Sequence, residues 1–68
     1  MKNSIKVERA KNNYTQADLA ELAKVSRQTI NAMEAGKYVP STVLALRLAK
    51  IFKVEVGSLF ELEDSDWQ

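Results

Sequence analysis

The side chains with the clearest recognition chemistry lie on one face of a predicted helix from Arg27 to about Ala35. At 3.6 residues per turn, Ile30 and Met33 point to one side of this helix, which must be the core side. The opposite side and its N-terminal edge carry Arg27, Gln28, Thr29, Asn31 and Ala32. Arginine, glutamine and asparagine form paired hydrogen bonds with base edges in the major groove, and the threonine methyl group contacts thymine. The alternative is an ordinary solvated polar face.

Four residues around this helix are candidates for contacts with the phosphate backbone of a nucleic acid. Gln16 begins the preceding predicted helix, where free backbone N–H groups favour an anion. Ser26 precedes the Arg27 helix, and Lys37 and Tyr38 follow its end. Helix capping alone explains Ser26, as it explains Thr15, so neither hydroxyl is independent support for a phosphate site.

Arg9 and Glu34 are candidates for an internal charge pair. Glu34 lies about 70° from the core-facing direction of its helix, at the edge where a side chain can reach a neighbouring helix. A partly buried pair with Arg9 would hold the Arg27 helix on its scaffold. The alternative is two solvated charges that never meet.

The composition excludes several kinds of chemistry. The chain has no cysteine and no histidine, which removes disulfides, common zinc sites, thiol nucleophiles and imidazole bases. The acidic residues are spread singly, and two glycines cannot form a glycine-rich phosphate loop. We therefore predict a protein that is not an enzyme, with no metal, no cofactor and no evident small-molecule ligand.

The chain also lacks membrane and export signals. No apolar run approaches the ~20 residues that span a bilayer, and the N-terminal segment has no apolar signal-peptide core. We expect no membrane contact and a cytoplasmic location. At 68 residues the chain makes one domain.

The apolar pattern predicts an all-α fold of five short helices. Their predicted ranges are Ser4–Asn12, Gln16–Ala23, Arg27–Ala35, Thr42–Phe52 and Val54–Phe60. Thr15, Ser26 and Ser41 are the predicted N-caps, and Thr15 forms a capping box with Asp18. The helical spacing predicts a core that includes Ile5, Leu19, Leu22, Ala23, Ile30, Met33, Leu44, Leu48 and Phe52.

Charge is unevenly distributed along the chain. Residues 1–53 carry ten basic and four acidic side chains, whereas residues 54–68 carry five acidic side chains and no basic one. A basic body with an acidic end suits a protein that meets a polyanion with one face, although ordinary scatter of solvated charge remains the alternative. We assign residues 1–62 to the domain and residues 63–68 to an acidic C-terminal tail.

Residues 15–41 carry the motifs TQ-x-x-LA, VSRQTIN and E-x-GK-x-x-PS. With these motifs the chain closely resembles the phage-repressor/Cro-like (XRE) helix-turn-helix family, and in particular its short single-domain members. The resemblance covers about residues 4 to 61. It implies a lambda-repressor-like fold of five helices, an Arg9–Glu34 salt bridge, and contacts with double-stranded DNA at Gln16, Ser26 to Ala32 and Lys37.

Two positions depart from the family pattern. Lys24 occupies the turn position where the family usually has glycine, which requires a positive φ or an altered turn. Glu8 stands where the family commonly has an apolar residue, and we expect Val7 and Ala10 to fill that part of the core.

Val56, Leu59, Phe60 and Leu62 are more apolar than an isolated domain of this size needs to expose. We predict that the last helix and an extended segment around Leu62 form a homodimer interface; the alternative is that these residues complete the monomer core. The resulting functional hypothesis is a dimeric repressor that binds a palindromic operator. The competing hypothesis is an antitoxin-like or co-regulator module whose main partner is a protein.

Overall fold

The computed structural model describes residues 1–68 and contains five α-helices and two short strands. The helices are α1 (Ile5–Lys11), α2 (Gln16–Ala23), α3 (Arg27–Glu34), α4 (Thr42–Phe52) and α5 (Val56–Leu59). Strands β1 (Lys2–Asn3) and β2 (Phe60–Glu61) flank them, and a C-terminal 3₁₀ turn spans Asp64–Trp67. The predicted five-helix fold is confirmed, with a small sheet added. No helix has the length and apolar content needed to span a membrane.

Local hydrogen bonds define the starts of the three central helices. The Thr15 hydroxyl accepts from the Asp18 N–H at 3.0 Å, and the Asp18 carboxylate accepts from the Thr15 N–H at 2.9 Å. The hydroxyls of Ser26 and Ser41 accept from the third residue of their own helices. These bonds satisfy N–H groups that have no partner within the helix, and they confirm the three predicted caps.

Left-handed residues end two of the helices. Lys24 closes α2 with a φ of 61°, and Lys53 closes α4 with a φ of 58°. The Lys24 conformation confirms the expectation of a positive φ at this turn. A residue with a Cβ atom is strained in this conformation, at a cost of roughly 1–2 kcal/mol, so the packing on both sides of the turn must hold Lys24 in place.

A single core lies between the helices. It comprises Ile5, Leu19, Ala20, Ala23, Ile30, Met33, Leu44, Leu48, Ala49, Phe52 and Leu59. The prediction for Leu22 is wrong, because its side chain is 50% exposed. Around α2, Leu22 lies about 100° from Ala23, on the side away from Ala20. Val7 and Ala10 are also exposed, so they do not fill the core beside Glu8.

The two ends of the chain meet in a two-stranded antiparallel sheet. Lys2 pairs with Glu61, and Asn3 pairs with Phe60. Because Phe60 is in this extended pairing, α5 ends at Leu59 and is shorter than predicted. The residues predicted to form an acidic tail follow β2 and include the 3₁₀ turn, where Asp66 accepts from the Glu63 N–H at 2.7 Å.

Candidate nucleic-acid interface

Helices α2 and α3 form a helix–turn–helix unit around the Lys24 turn. Leu19, Ala20 and Ala23 of α2 and Ile30 and Met33 of α3 are all buried in the core. The Val25 N–H donates to the Ala20 carbonyl at 3.0 Å, which closes the turn between the helices. The apolar sides of both helices are thereby committed to the core, and the polar side of α3 faces outward.

The outward side of α3 presents three long polar side chains. Arg27, Gln28 and Asn31 are exposed, whereas Thr29 and Ala32 are half-buried. The Thr29 hydroxyl lies 2.9 Å from the Ser26 hydroxyl, so it takes part in the N-terminal cap of α3. Arg27, Gln28 and Asn31 are therefore the α3 side chains with the freest access to a ligand.

Gln16 links the start of α2 to this side of α3. Its side-chain amide donates to the Glu34 carboxylate at 3.2 Å and to the Asn31 side-chain oxygen at 3.4 Å. Gln16, Arg27, Gln28 and Asn31 line one shallow surface depression with no apolar residue in it. The structure thus brings together four of the predicted binding residues, although Gln16 and Asn31 are fifteen positions apart in the sequence.

The ion pair between Arg9 and Glu34 holds in position the carboxylate that accepts from Gln16. Arg9 Nε lies 2.8 Å from Glu34 Oε2, and Arg9 Nη2 lies 3.2 Å from Oε1, which is a bidentate contact. The side chains of Arg9 and Glu34 are 18% and 7% exposed. A third Arg9 nitrogen donates to the Tyr14 carbonyl at 3.0 Å, so one guanidinium joins α1, α3 and the loop before α2.

Charge and burial have opposite effects on the pKa of Glu34. Burial raises the pKa of the Glu34 carboxyl, but hydrogen bonds from Arg9 and Gln16 and the charges of Arg9 and Lys6 lower it. The net result is a pKa below the ordinary value, so Glu34 is ionised at neutral pH. The same hydrogen bond raises the pKa of the Arg9 guanidinium, so it favours the charged form of both partners. Glu34 can therefore orient both Arg9 and Gln16 as a charged acceptor.

Lys37 and Tyr38 lie in the loop after α3, at the end opposite Arg27. The Lys37 N–H donates to the Ala32 carbonyl at 2.9 Å, and its side chain is exposed. Tyr38 is 45% exposed. An eight-residue helix is about 12 Å long, so these residues flank the far end of α3 and are not part of the Gln16 depression.

A second depression contains residues that the sequence interpretation did not include. Asn13 and Ala17 line it together with Arg9, Gln16 and Arg27. It lies at the N-terminus of α2, where backbone N–H groups and the helix dipole favour an anion. Asn13 has a left-handed φ of 57° and turns the chain into α2. In the sequence, the pair Asn12-Asn13 was the available signal for this turn, because asparagine tolerates a left-handed conformation.

The residues predicted to form a dimer interface have different environments. Leu59 is 1% exposed and belongs to the monomer core, so its assignment to a surface contact is corrected. Phe60 is half-buried against that core. Val56 is 38% exposed and Leu62 is 56% exposed, so these two side chains are the accessible apolar residues of the predicted interface.

Comparison with known proteins agrees with this geometry. A family model described as helix-turn-helix matches residues 5–59, most of the chain. The chain therefore belongs to the XRE-type helix-turn-helix family, and similar proteins are named as transcriptional regulators.

Similar proteins occur in archaea and bacteria. A protein of Methanocaldococcus jannaschii named as an HTH-type transcriptional regulator is 52% identical over 97% of this chain and 100% of its own length. A regulator of the same type from Bacillus subtilis is 44% identical, again over 97% of this chain and 100% of its own. One from Archaeoglobus fulgidus is 39% identical over 100% of this chain and 97% of its own.

Proposed function

We propose that this protein is a sequence-specific regulator of transcription that binds double-stranded DNA through α3. The observation that carries the proposal is the polar depression formed by Gln16, Arg27, Gln28 and Asn31. In a helix-turn-helix unit the first residues of the second helix enter the major groove. Three of these four side chains are on α3, and two of them, Arg27 and Gln28, are its first residues.

Within this proposal, the residues divide into base and phosphate contacts. Arg27, Gln28 and Asn31 read base edges, with Thr29 and Ala32 close to the groove. Gln16, Ser26, Lys37 and Tyr38 contact phosphates and hold the orientation of α3. The net positive charge of residues 1–53 favours approach to DNA through long-range attraction.

The exposed apolar side chains near β2 support a homodimer. Val56 and Leu62 are exposed, and the half-buried Phe60 lies between them in the sequence. A two-fold dimer through this region would present two copies of α3 about 34 Å apart, matching one turn of DNA and a palindromic site. We further propose that binding to such a site represses transcription.

Selection from a random duplex DNA library at near-physiological salt tests the DNA-binding proposal. We expect enrichment of a palindrome with half-sites about 10 base pairs apart. Gln28→Ala should relax specificity at one base pair and weaken binding by about 1–3 kcal/mol. Weak, salt-sensitive binding without an enriched sequence would favour the alternative, a protein-interaction module.

Salt dependence distinguishes phosphate contacts from base contacts. Lys37→Ala should weaken binding to all sequences equally and reduce the salt slope by about one. Lys53→Ala, which removes an exposed cation outside the proposed surface, is the matched control and should leave the slope unchanged. An unchanged slope in Lys37→Ala would remove Lys37 from the phosphate contacts.

The homodimer is tested separately by sedimentation. Leu62→Ser should convert the dimer to a folded monomer of 7.7 kDa, because this side chain is 56% exposed and lies outside the monomer core. Val43→Ser alters a similarly exposed side chain, 60% accessible on α4, and should leave the dimer intact. A wild-type protein that sediments as a monomer at micromolar concentration would contradict the proposed dimer.

A further inference from the structure

The C-terminal end of α2 and the side of α4 border a shallow, open cleft that the proposed DNA-binding surface does not include. Its lining residues, here called the α2–α4 cleft, are Leu22, Lys24, Arg47, Lys50 and Ile51. The cleft has a volume of about 350 Å³. Gln16 is at the other end of α2, roughly 10 Å away along the helix axis.

The α2–α4 cleft combines apolar surface with positive charge. Leu22 is 50% exposed there, and Ile51 is half-buried. None of the three cations, Lys24, Arg47 and Lys50, has a carboxylate within ion-pair distance. Arg47 donates to the Ala23 carbonyl at 3.3 Å, which fixes its guanidinium at the rim. This chemistry suits an acidic segment that also carries a large apolar side chain.

The C-terminal turn (Asp64–Trp67) of the same sequence has the complementary chemistry. Trp67 is 77% exposed, the most exposed of the large apolar side chains. Asp64 is exposed and has no cationic partner. The Glu63–Asp66 capping box and the ion pairs of both residues with the Met1 ammonium hold the turn in place. Trp67 is thus presented on an ordered turn and is not part of its own chain's cleft.

We propose that the α2–α4 cleft of one molecule binds the C-terminal turn of a second copy. The Trp67 indole packs against Leu22 and Ile51 and stacks with Arg47, while Asp64 faces Lys50. Burial of an indole removes about 150–250 Å² of surface from water, and an arginine over its face adds a cation–π attraction.

This contact joins two different surfaces and is therefore head-to-tail, so it can link molecules into larger assemblies. It uses other residues than the proposed dimer contact at Val56 and Leu62, although Leu62 and Asp64 line one surface depression, and it does not depend on DNA binding. Between dimers on neighbouring sites it would make binding to DNA cooperative.

The fluorescence of Trp67, the only tryptophan of the chain, tests the proposal directly. Without DNA, the wild-type emission should shift to shorter wavelength as protein concentration rises, because the indole leaves water. Lys50→Glu should move the midpoint of this shift to at least about tenfold higher concentration. Lys53→Glu, the same charge change outside the cleft, should leave the midpoint unchanged. Absence of a shift in wild type, or an equal shift in Lys50→Glu, would overturn the proposal.

A charge exchange monitored by sedimentation velocity adds a second test. Lys50→Glu alone and Asp64→Lys alone should each lose assembly beyond the dimer. Mixing the two variants should restore it, because the ammonium introduced in the C-terminal turn by Asp64→Lys can face the carboxylate introduced in the cleft by Lys50→Glu. Failure of the mixture to associate would overturn the assignment of these two surfaces to each other. A third outcome would also overturn the proposal. If wild type does not self-associate and Lys50→Glu reduces the salt dependence of DNA binding, the cleft residues contact DNA phosphates instead.

Discussion

Two ion-pair clusters each tie together segments that are distant in the sequence, but their carboxylates differ in exposure to solvent. Arg9 and Glu34 join α1 to α3, and their side chains are 18% and 7% exposed. The Met1 ammonium joins the N-terminus to Glu63 and Asp66, whose side chains are 42% and 24% exposed. The distances are similar, at 2.8 Å in the first cluster and 3.0 and 3.1 Å in the second.

The comparison indicates that burial, and not distance, decides how much each ion pair contributes to the free energy of unfolding. Water screens an exposed pair, which typically contributes about 0–1 kcal/mol. A buried pair that loses one partner leaves a charge without compensation, at a much larger cost. The Arg9–Glu34 pair therefore matters more, and the C-terminal region must depend chiefly on Leu59 and the β1–β2 pairing for its attachment.

The largest effect is expected at Leu59, the apolar attachment of the C-terminal region. Leu59→Ala removes a side chain that is 1% exposed and should destabilise the fold by about 2–5 kcal/mol in urea unfolding. Val43→Ala, which shortens a 60% exposed side chain outside the proposed dimer contact, is the control and should change stability little. A small effect at Leu59 would mean that the ends of the chain are held by their charges after all.

Loss of the partly buried ion pair should have the next largest effect. Glu34→Gln leaves Arg9 without its carboxylate and should lower the free energy of unfolding by about 2–3 kcal/mol. Gln16 also loses a charged acceptor, so the DNA affinity of Glu34→Gln should fall. The fall should be larger than that of the control Lys53→Gln, which changes a charge outside the proposed surface. A stability change no larger than that of an exposed pair would contradict the weight given to burial.

Acid should weaken the first cluster. Because the pKa of Glu34 is lowered in the folded state, its carboxylate contributes stability above its ordinary pKa of 4.5. That contribution is lost as the pH falls below 4.5 and through the folded-state pKa. Urea unfolding between about pH 7 and pH 3 should show this loss in wild type and a smaller one in Glu34→Gln. Parallel pH profiles of the two proteins would exclude Glu34 as the source.

Alkali should weaken the second cluster, with the smallest effect of the four. Hydrogen bonds to Glu63 and then to Asp66 raise the pKa of the Met1 ammonium above 8.0. The contribution is therefore complete below pH 8.0 and is lost as the pH rises through the folded-state pKa. Thermal unfolding should show a slight decline over this range that Asp66→Asn reduces. If stability falls more in alkali than it falls in acid through Glu34, the exposed Met1 cluster would contribute more than the Arg9–Glu34 pair.

Much of the candidate site was predictable because its components are local. Thr15, Ser26 and Ser41 bond backbone groups three residues ahead, and such bonds depend on residue type and spacing. The direction of the α3 side chains follows from helix periodicity once Ile30 and Met33 are assigned to the core. At Lys24 the family resemblance supplied the signal, since glycine usually holds this turn position, and the structure adopts the positive φ and not an altered turn.

Other features depended on contacts that no local pattern specifies. Leu22 has the same apolar character as Leu19, but Leu19 is buried in the core with Ala20 and Ala23, whereas Leu22 stays 50% exposed beside α4. Leu59 and Leu62 looked alike in the sequence, and only the packing buried the first and exposed the second. Asn3 carried no signal, although its side-chain amide donates to the Met33 carbonyl at 2.9 Å.

By itself the sequence determined the five helices, their caps and the polar character of the outward side of α3. These features depend on hydrogen bonds and side-chain directions within a few residues. Only the tertiary structure decided that Gln16 reaches Asn31 and Glu34, that Lys2 pairs with Glu61, and which leucines remain exposed. Those outcomes depend on how whole helices pack, because burial is a property of the assembled core and not of any single segment.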